Sequence, residues 1–72
     1  MMNNYEDAIK RIAMNIKAIR QSKGLSIQEI AYRCDMERSN LSRLEAGKTN
    51  MTIKTICSIC NALNIHITEV IK

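Results

Sequence analysis

The chain has 72 residues, a formal net charge of +4 at pH 7, no Pro, Phe or Trp, and only two Gly. One small domain of helices with short connections suits that composition, and a core of this size gains from tight packing or dimerisation. No apolar run of about 18 residues offers a membrane span, MMNNYEDAIKR lacks the apolar stretch of a signal peptide, and three cysteines without framework spacing fit a reducing cytoplasm rather than a disulfide scaffold.

The first helix is expected from Tyr5, with Asn4 as N-cap and Asp7 near the positive end of the helix dipole. Ile9, Ile12, Ala13, Ile16 and Ile19 recur at helical spacing. Lys23-Gly24 should end the helix, with Gly24 left-handed. The second helix is expected from Ile27 to Cys34. Ser26 and Glu29 form a capping box at its start.

The third helix is expected from Arg38 to Ala46, stopping at Gly47. Glu37 is a poor cap for it, although its charge suits a helix N-terminus. Alternatively Asp35 is the cap and the helix starts sooner. The fourth helix is expected from Ile53 to Leu63, with Thr52 as N-cap and Ile53, Ile56, Ile59, Cys60 and Leu63 as its apolar stripe. Asn64 suits a left-handed C-cap. Ile67 to Ile71 is expected to form a short fifth helix with His66 at or near its N-cap.

The stretch Leu25–Gly47 organises these elements. Ile30, Ala31 and Cys34 line one face of the second helix, and Leu41 and Leu44 one face of the third. Only Asp35 to Glu37 separates the two patterns, which allows a corner between packed helices with the small Ala31 at the crossing. At ~100° per residue, Ser39 and Arg43 then point outward, with Arg38 and Ser42 on the flanks.

This segment resembles the helix-turn-helix of the lambda-repressor, Cro and Xre family. The resemblance rests on Leu25-Ser26-Ile27-Gln28-Glu29-Ile30-Ala31 and Ser42-Arg43-Leu44-Glu45-Ala46-Gly47-Lys48, and it extends from about Ile12 to Ile71. It implies an all-α, compact five-helix domain spanning residues 1–72, with the helix-turn-helix at about 26–46. It also implies sequence-specific binding of double-stranded DNA by a small transcriptional regulator, with the third helix in the major groove. Arg38, Ser39, Asn40, Ser42 and Arg43 would contact bases, and Arg43 and Arg38 can each bond both acceptors of a guanine edge. Ser26, Ile27, Gln28, Lys48, Thr49, Asn50 and Lys54 would contact phosphates. The family's usual Gln at the first position of helix 2 is Ile27 here, so that contact passes to backbone N–H groups. Arg20 and Glu45 match an internal ion pair of the family. Asp35 stands where the family usually has Gly.

A pseudo-palindromic operator and a homodimer follow from the small reading surface; the apolar Ile65, Ile67, Val70 and Ile71 either make the dimer contact or simply close the core. A restriction–modification controller, a phage or mobile-element regulator and an antitoxin all fit this size. The chain has no room for a second sensory domain, so regulation would act through concentration, a partner or competition for DNA. The alternative is a protein-interaction module of the same fold that has lost DNA binding, which Asp35, Glu37 and the missing Gln at position 27 favour. The Cys57–Cys60 pair invites a zinc or redox reading, but only Cys34 and His66 remain as further ligands. No metal, cofactor, membrane partner or catalytic centre is expected: one His, scattered carboxylates and no Gly-rich loop fit no reaction template.

Overall fold

The computed structural model describes residues 4–72. The first three residues of the stretch read as lacking a signal peptide, and of the expected single domain, lie outside the described residues. Four α-helices follow one another: α1 Tyr5–Ser22, α2 Ile27–Arg33, α3 Arg38–Glu45 and α4 Ile53–Leu63. The chain then closes with a single 3-10 turn, Ile67–Glu69.

Each helix starts as its sequence dictates. The Asn4 Oδ1 accepts from the backbone N–H of Glu6 at 2.9 Å and of Asp7 at 3.2 Å. Ser26 and Glu29 form the reciprocal capping box, and Thr52 Oγ1 accepts from the Thr55 N–H at 3.1 Å. Glu37 is the N-cap of α3 but makes no side-chain cap bond, which excludes Asp35 as the cap.

All four helices end in the same way. Gly24, Asp35, Gly47 and Asn64 each take a positive φ, between 55° and 72°. The next residue returns its N–H to a carbonyl of the last turn: Leu25 to Arg20, Met36 to Ala31, Lys48 to Arg43 and Ile65 to Cys60. This double-bonded terminus satisfies carbonyls that the helix cannot. It also reverses the chain sharply, so short helices can fold onto one another.

The core contains Ile16, Ile30, Ala31, Leu41, Leu44, Ile56, Ile59, Cys60, Leu63 and Val70, drawn from all four helices and from the residue just after the 3-10 turn. α2 packs on α3, α1 on α3 and α4, and α2 on α4. Two polar ties reinforce these packings. Asn15 Nδ2 donates to the Val70 carbonyl at 2.8 Å, joining α1 to the last turn. Arg33 donates to the Ala62 carbonyl at 2.9 Å, at the negative end of the α4 dipole.

Two expectations need correction, and one open alternative is decided. The expected fifth helix is only the 3-10 turn. The Glu69 N–H bonds the His66 carbonyl and the Val70 N–H bonds the Ile67 carbonyl, each three residues back, and β-branched Ile67, Thr68, Val70 and Ile71 cannot propagate so short a nucleus. Ile53 is not part of the buried stripe: in the first turn of α4 it is 62% exposed. The apolar C-terminal residues mostly serve the core. Val70 is fully buried and Ile65 and Ile67 pack against the core, which leaves Ile71 exposed.

Candidate nucleic-acid interface

Leu41, Leu44 and Glu45 anchor α3 inside the molecule. Helical geometry then forces Arg38, Ser39, Asn40, Ser42 and Arg43 outward, and all five are exposed. Among the described residues their side chains make no hydrogen bond or ion pair. The face is therefore a row of donors and acceptors that the described residues leave unpaired.

Two open grooves flank this row. One is lined by Ile27, Arg38, Ser39 and Ser42, between the start of α2 and α3. The other runs between the α2–α3 turn, α3 and the start of α4, and it brings Ser39, Asn40 and Arg43 together with Lys54, Asp35 and Glu37. The residues expected to touch bases thus share one surface, joined at its edges by Ile27 and Lys54. The Ile27 side chain packs against the core, so only its backbone is left to meet a phosphate. Ser26 Oγ accepts from the Glu29 N–H at 3.1 Å, leaving the first N–H groups of α2 without intrahelical partners.

The other expected phosphate residues lie apart. Gln28 lines a separate hollow with Ser26, Glu29 and Tyr32. Lys48, Thr49 and Asn50 line a hollow against Tyr5, Glu6, Ile9 and Lys10 of α1. Lys10 was not legible as part of this region. Its side chain lies over Gly47, where an added Cβ would meet Lys10 Cγ at 3.1 Å and Cα at 3.3 Å. The absence of a side chain at position 47 is the signal that could have located it.

Arg20 and Glu45 are both buried and paired. Nε donates to Oε2 at 2.7 Å and Nη2 to Oε1 at 2.9 Å, while Nη1 donates to the Leu25 carbonyl at 2.7 Å. The pair joins α1 to α3 and takes no part in the outer face. The cysteines are likewise internal. Cys60 is buried, and Cys34 and Cys57 are half-buried. The Cys34 thiol donates to the Ser58 carbonyl at 3.5 Å. Burial pushes the Cys34 thiol above its ordinary range. Burial, and then coulombic repulsion from the nearby Cys57, does the same for Cys60. Among the described residues no helix is long and apolar enough to cross a membrane.

Two short helices packed on one another, with an exposed polar α3 held by a buried core, define a helix-turn-helix DNA-binding domain. The chain belongs to the helix-turn-helix family HTH_3, whose pattern matches residues 16–70. It is a regulator by class and not an enzyme. It is 31% identical over 65 residues to an uncharacterised HTH-type transcriptional regulator, y4dJ, of Sinorhizobium fredii, covering 90% of this chain and 84% of that protein. Among solved structures it is similar to the restriction–modification controller protein C.AhdI from Aeromonas hydrophila, with 29% identity and a TM-score of 0.82 over 92% of this chain and 98% of that one. It is also similar to the controller protein C.Esp1396I, solved as a tetramer in complex with its natural 35 base-pair operator. The identity there is 26% and the TM-score 0.79, over 97% of this chain and 100% of that one.

Proposed function

We propose that the chain acts as one domain, in the cytoplasm, as a sequence-specific regulator that binds double-stranded DNA with α3 in the major groove. The observation that carries this reading is the outer face of α3. Arg38, Ser39, Asn40, Ser42 and Arg43 are exposed, have no partner among the described residues and sit on one surface of the domain. Arg43 reads a base edge from mid-helix and Arg38 from the first turn. The backbone at Ile27 and the Lys54 side chain hold phosphates at the edges of that surface, and the backbone at Ser26 and Gln28 and the side chains of Lys48, Thr49 and Asn50 hold phosphates further along the DNA backbone.

One such module reads few base pairs, so a homodimer on a two-fold operator follows. Its half-site centres lie about 10–10.5 base pairs, or a multiple of that, apart. Exposed Ile71, which the core leaves free, is the apolar residue of the C-terminal segment available to that contact. The likeness to C.AhdI and C.Esp1396I favours a controller of a restriction–modification system, acting on its own promoter, over a phage regulator or an antitoxin.

The test is binding to the DNA upstream of its own gene, against random competitor, at two salt concentrations. Tight binding that survives competitor supports the reading, and the footprint length reports the dimer spacing. Binding that vanishes with salt, followed by failure to enrich any sequence from a random pool, overturns it in favour of a protein-interaction module.

A further inference from the structure

We propose that Glu37 determines specificity by accepting a hydrogen bond from the N4 amino group of a cytosine in the operator. The inference rests on the DNA-binding reading above and assigns a task to a residue that reading leaves unused. Glu37 occupies the N-cap of α3, with φ −70° and ψ 141°, yet its side chain caps nothing. It is exposed, and among the described residues its carboxylate has no hydrogen-bond or ion-pair partner. It opens into the same groove as Ser39, Asn40 and Arg43. The carboxylate therefore lies at the leading end of the helix whose N-terminal residues approach base edges in this class of fold.

The chemistry of the major groove narrows its partner. An ionised carboxylate only accepts. Guanine presents acceptors at N7 and O6, and thymine presents O4 and a methyl group, so both repel it or offer it nothing. Adenine donates from N6, but its N7 acceptor stands beside that donor. Cytosine donates from N4 with no acceptor next to it on the same base. A phosphate would repel the carboxylate outright. A residue that harms every contact but one converts that harm into discrimination.

With α3 laid along the groove, helix spacing gives the expected place of that cytosine. Six positions separate Glu37 from Arg43, about 9 Å along the helix axis at 1.5 Å per residue. At 3.4 Å per base step along a strand, the cytosine falls about two or three base pairs from the base that Arg43 reads.

The experiment is selection from a random DNA pool with the wild-type chain, Glu37→Gln and Glu37→Ala, with Arg43→Ala run in parallel and a thermal melt for each variant. The expected result is one cytosine column in the wild-type preference, favoured about tenfold over other bases. Glu37→Ala flattens that column alone. Glu37→Gln moves it to adenine, whose N6 and N7 an amide can bond together. Arg43→Ala alters a different column, within about three base pairs. If both Glu37 variants bind every sequence more tightly with no column changed, Glu37 only repels phosphate and the proposal is overturned while DNA reading by α3 stands. If the folded wild type enriches no sequence, both readings fall.

Discussion

Arg20 and Glu45, on α1 and α3, meet in a two-pronged ion pair inside the molecule, with Nε–Oε2 at 2.7 Å and Nη2–Oε1 at 2.9 Å. The Arg20 side chain is 10% exposed and that of Glu45 is 4% exposed. The third arm of the guanidinium takes the Leu25 carbonyl at 2.7 Å. One arginine therefore orients α1, the approach to α2 and α3 together, and α3 is the helix that faces outward for reading. Removing one partner leaves the other charge buried and bare. Arg20→Ala and Glu45→Ala should each cost about 3–5 kcal/mol. The double variant Arg20→Met with Glu45→Leu should cost less than either single change, because it removes both desolvated charges. Urea unfolding of the three variants measures this. Equal losses in all three would mean that the contribution is packing and not charge pairing.

The outer face of α3 gives a contrast between two basic residues. Arg43→Ala should weaken binding to the cognate site by about 1–3 kcal/mol and relax preference at one base pair. Lys48→Ala should weaken binding to all sequences alike and reduce the slope of log K against log salt by about one. Titrations of cognate and random duplexes across a salt series separate the two. A change of base preference with Lys48→Ala would contradict its assignment to a phosphate.

The left-handed helix ends should respond unequally to substitution. Gly47 and Gly24 have φ of 72° and 68°, so alanine at either is strained by about 1–2 kcal/mol. Around Gly24 a new Cβ meets nothing within 4 Å, whereas at Gly47 it presses on Lys10. Gly47→Ala should therefore lower the melting temperature more than Gly24→Ala. Asp35, at φ 55°, carries the opposite prediction. Asp35→Gly should raise stability by about 0.5–1 kcal/mol, because glycine takes this conformation without the Cβ conflict. An unchanged or lowered melting temperature would show that Asp35 makes up for its strain elsewhere in the turn.

The buried thiols predict an alkaline weakness. Burial raises the Cys34 and Cys60 thiols above 9.0, with the Cys57 charge adding to the effect at Cys60. In the unfolded chain they ionise near that ordinary value. Their contribution is therefore complete below about pH 9 and is lost as the pH rises through the folded values. Stability under reducing conditions should hold up to about pH 9 and fall as the pH rises further, towards the raised folded values. The fall should be shallower in Cys60→Ala, even though that variant is less stable at neutral pH. Identical slopes would remove the thiols from the explanation.

The sequence by itself determined the helix boundaries and the turn between α2 and α3, because caps, left-handed stops and apolar spacing act over a few residues. Ser26 with Glu29, Thr52 and Asn64 take the roles their residue types dictate. The side of α3 that faces outward was legible for the same reason, since Leu41 and Leu44 must be buried. The Arg20–Glu45 pair was visible only through resemblance, because no local rule links residues 25 positions apart.

The tertiary structure alone decided where apolar residues had a neighbour to bury against. Ile53 fits the α4 stripe by spacing yet stays exposed, because among the described residues no element covers the first turn of α4 on that side. Val70 is fully buried, and with Asn15 bonding its carbonyl the chain closes against α1 as a 3-10 turn and not as a fifth helix. The packing of α2, α3 and α4 also set Glu37 in one groove with Arg43 and Lys54. Periodicity states which face of a helix is apolar, but only the packed neighbours state what each face meets.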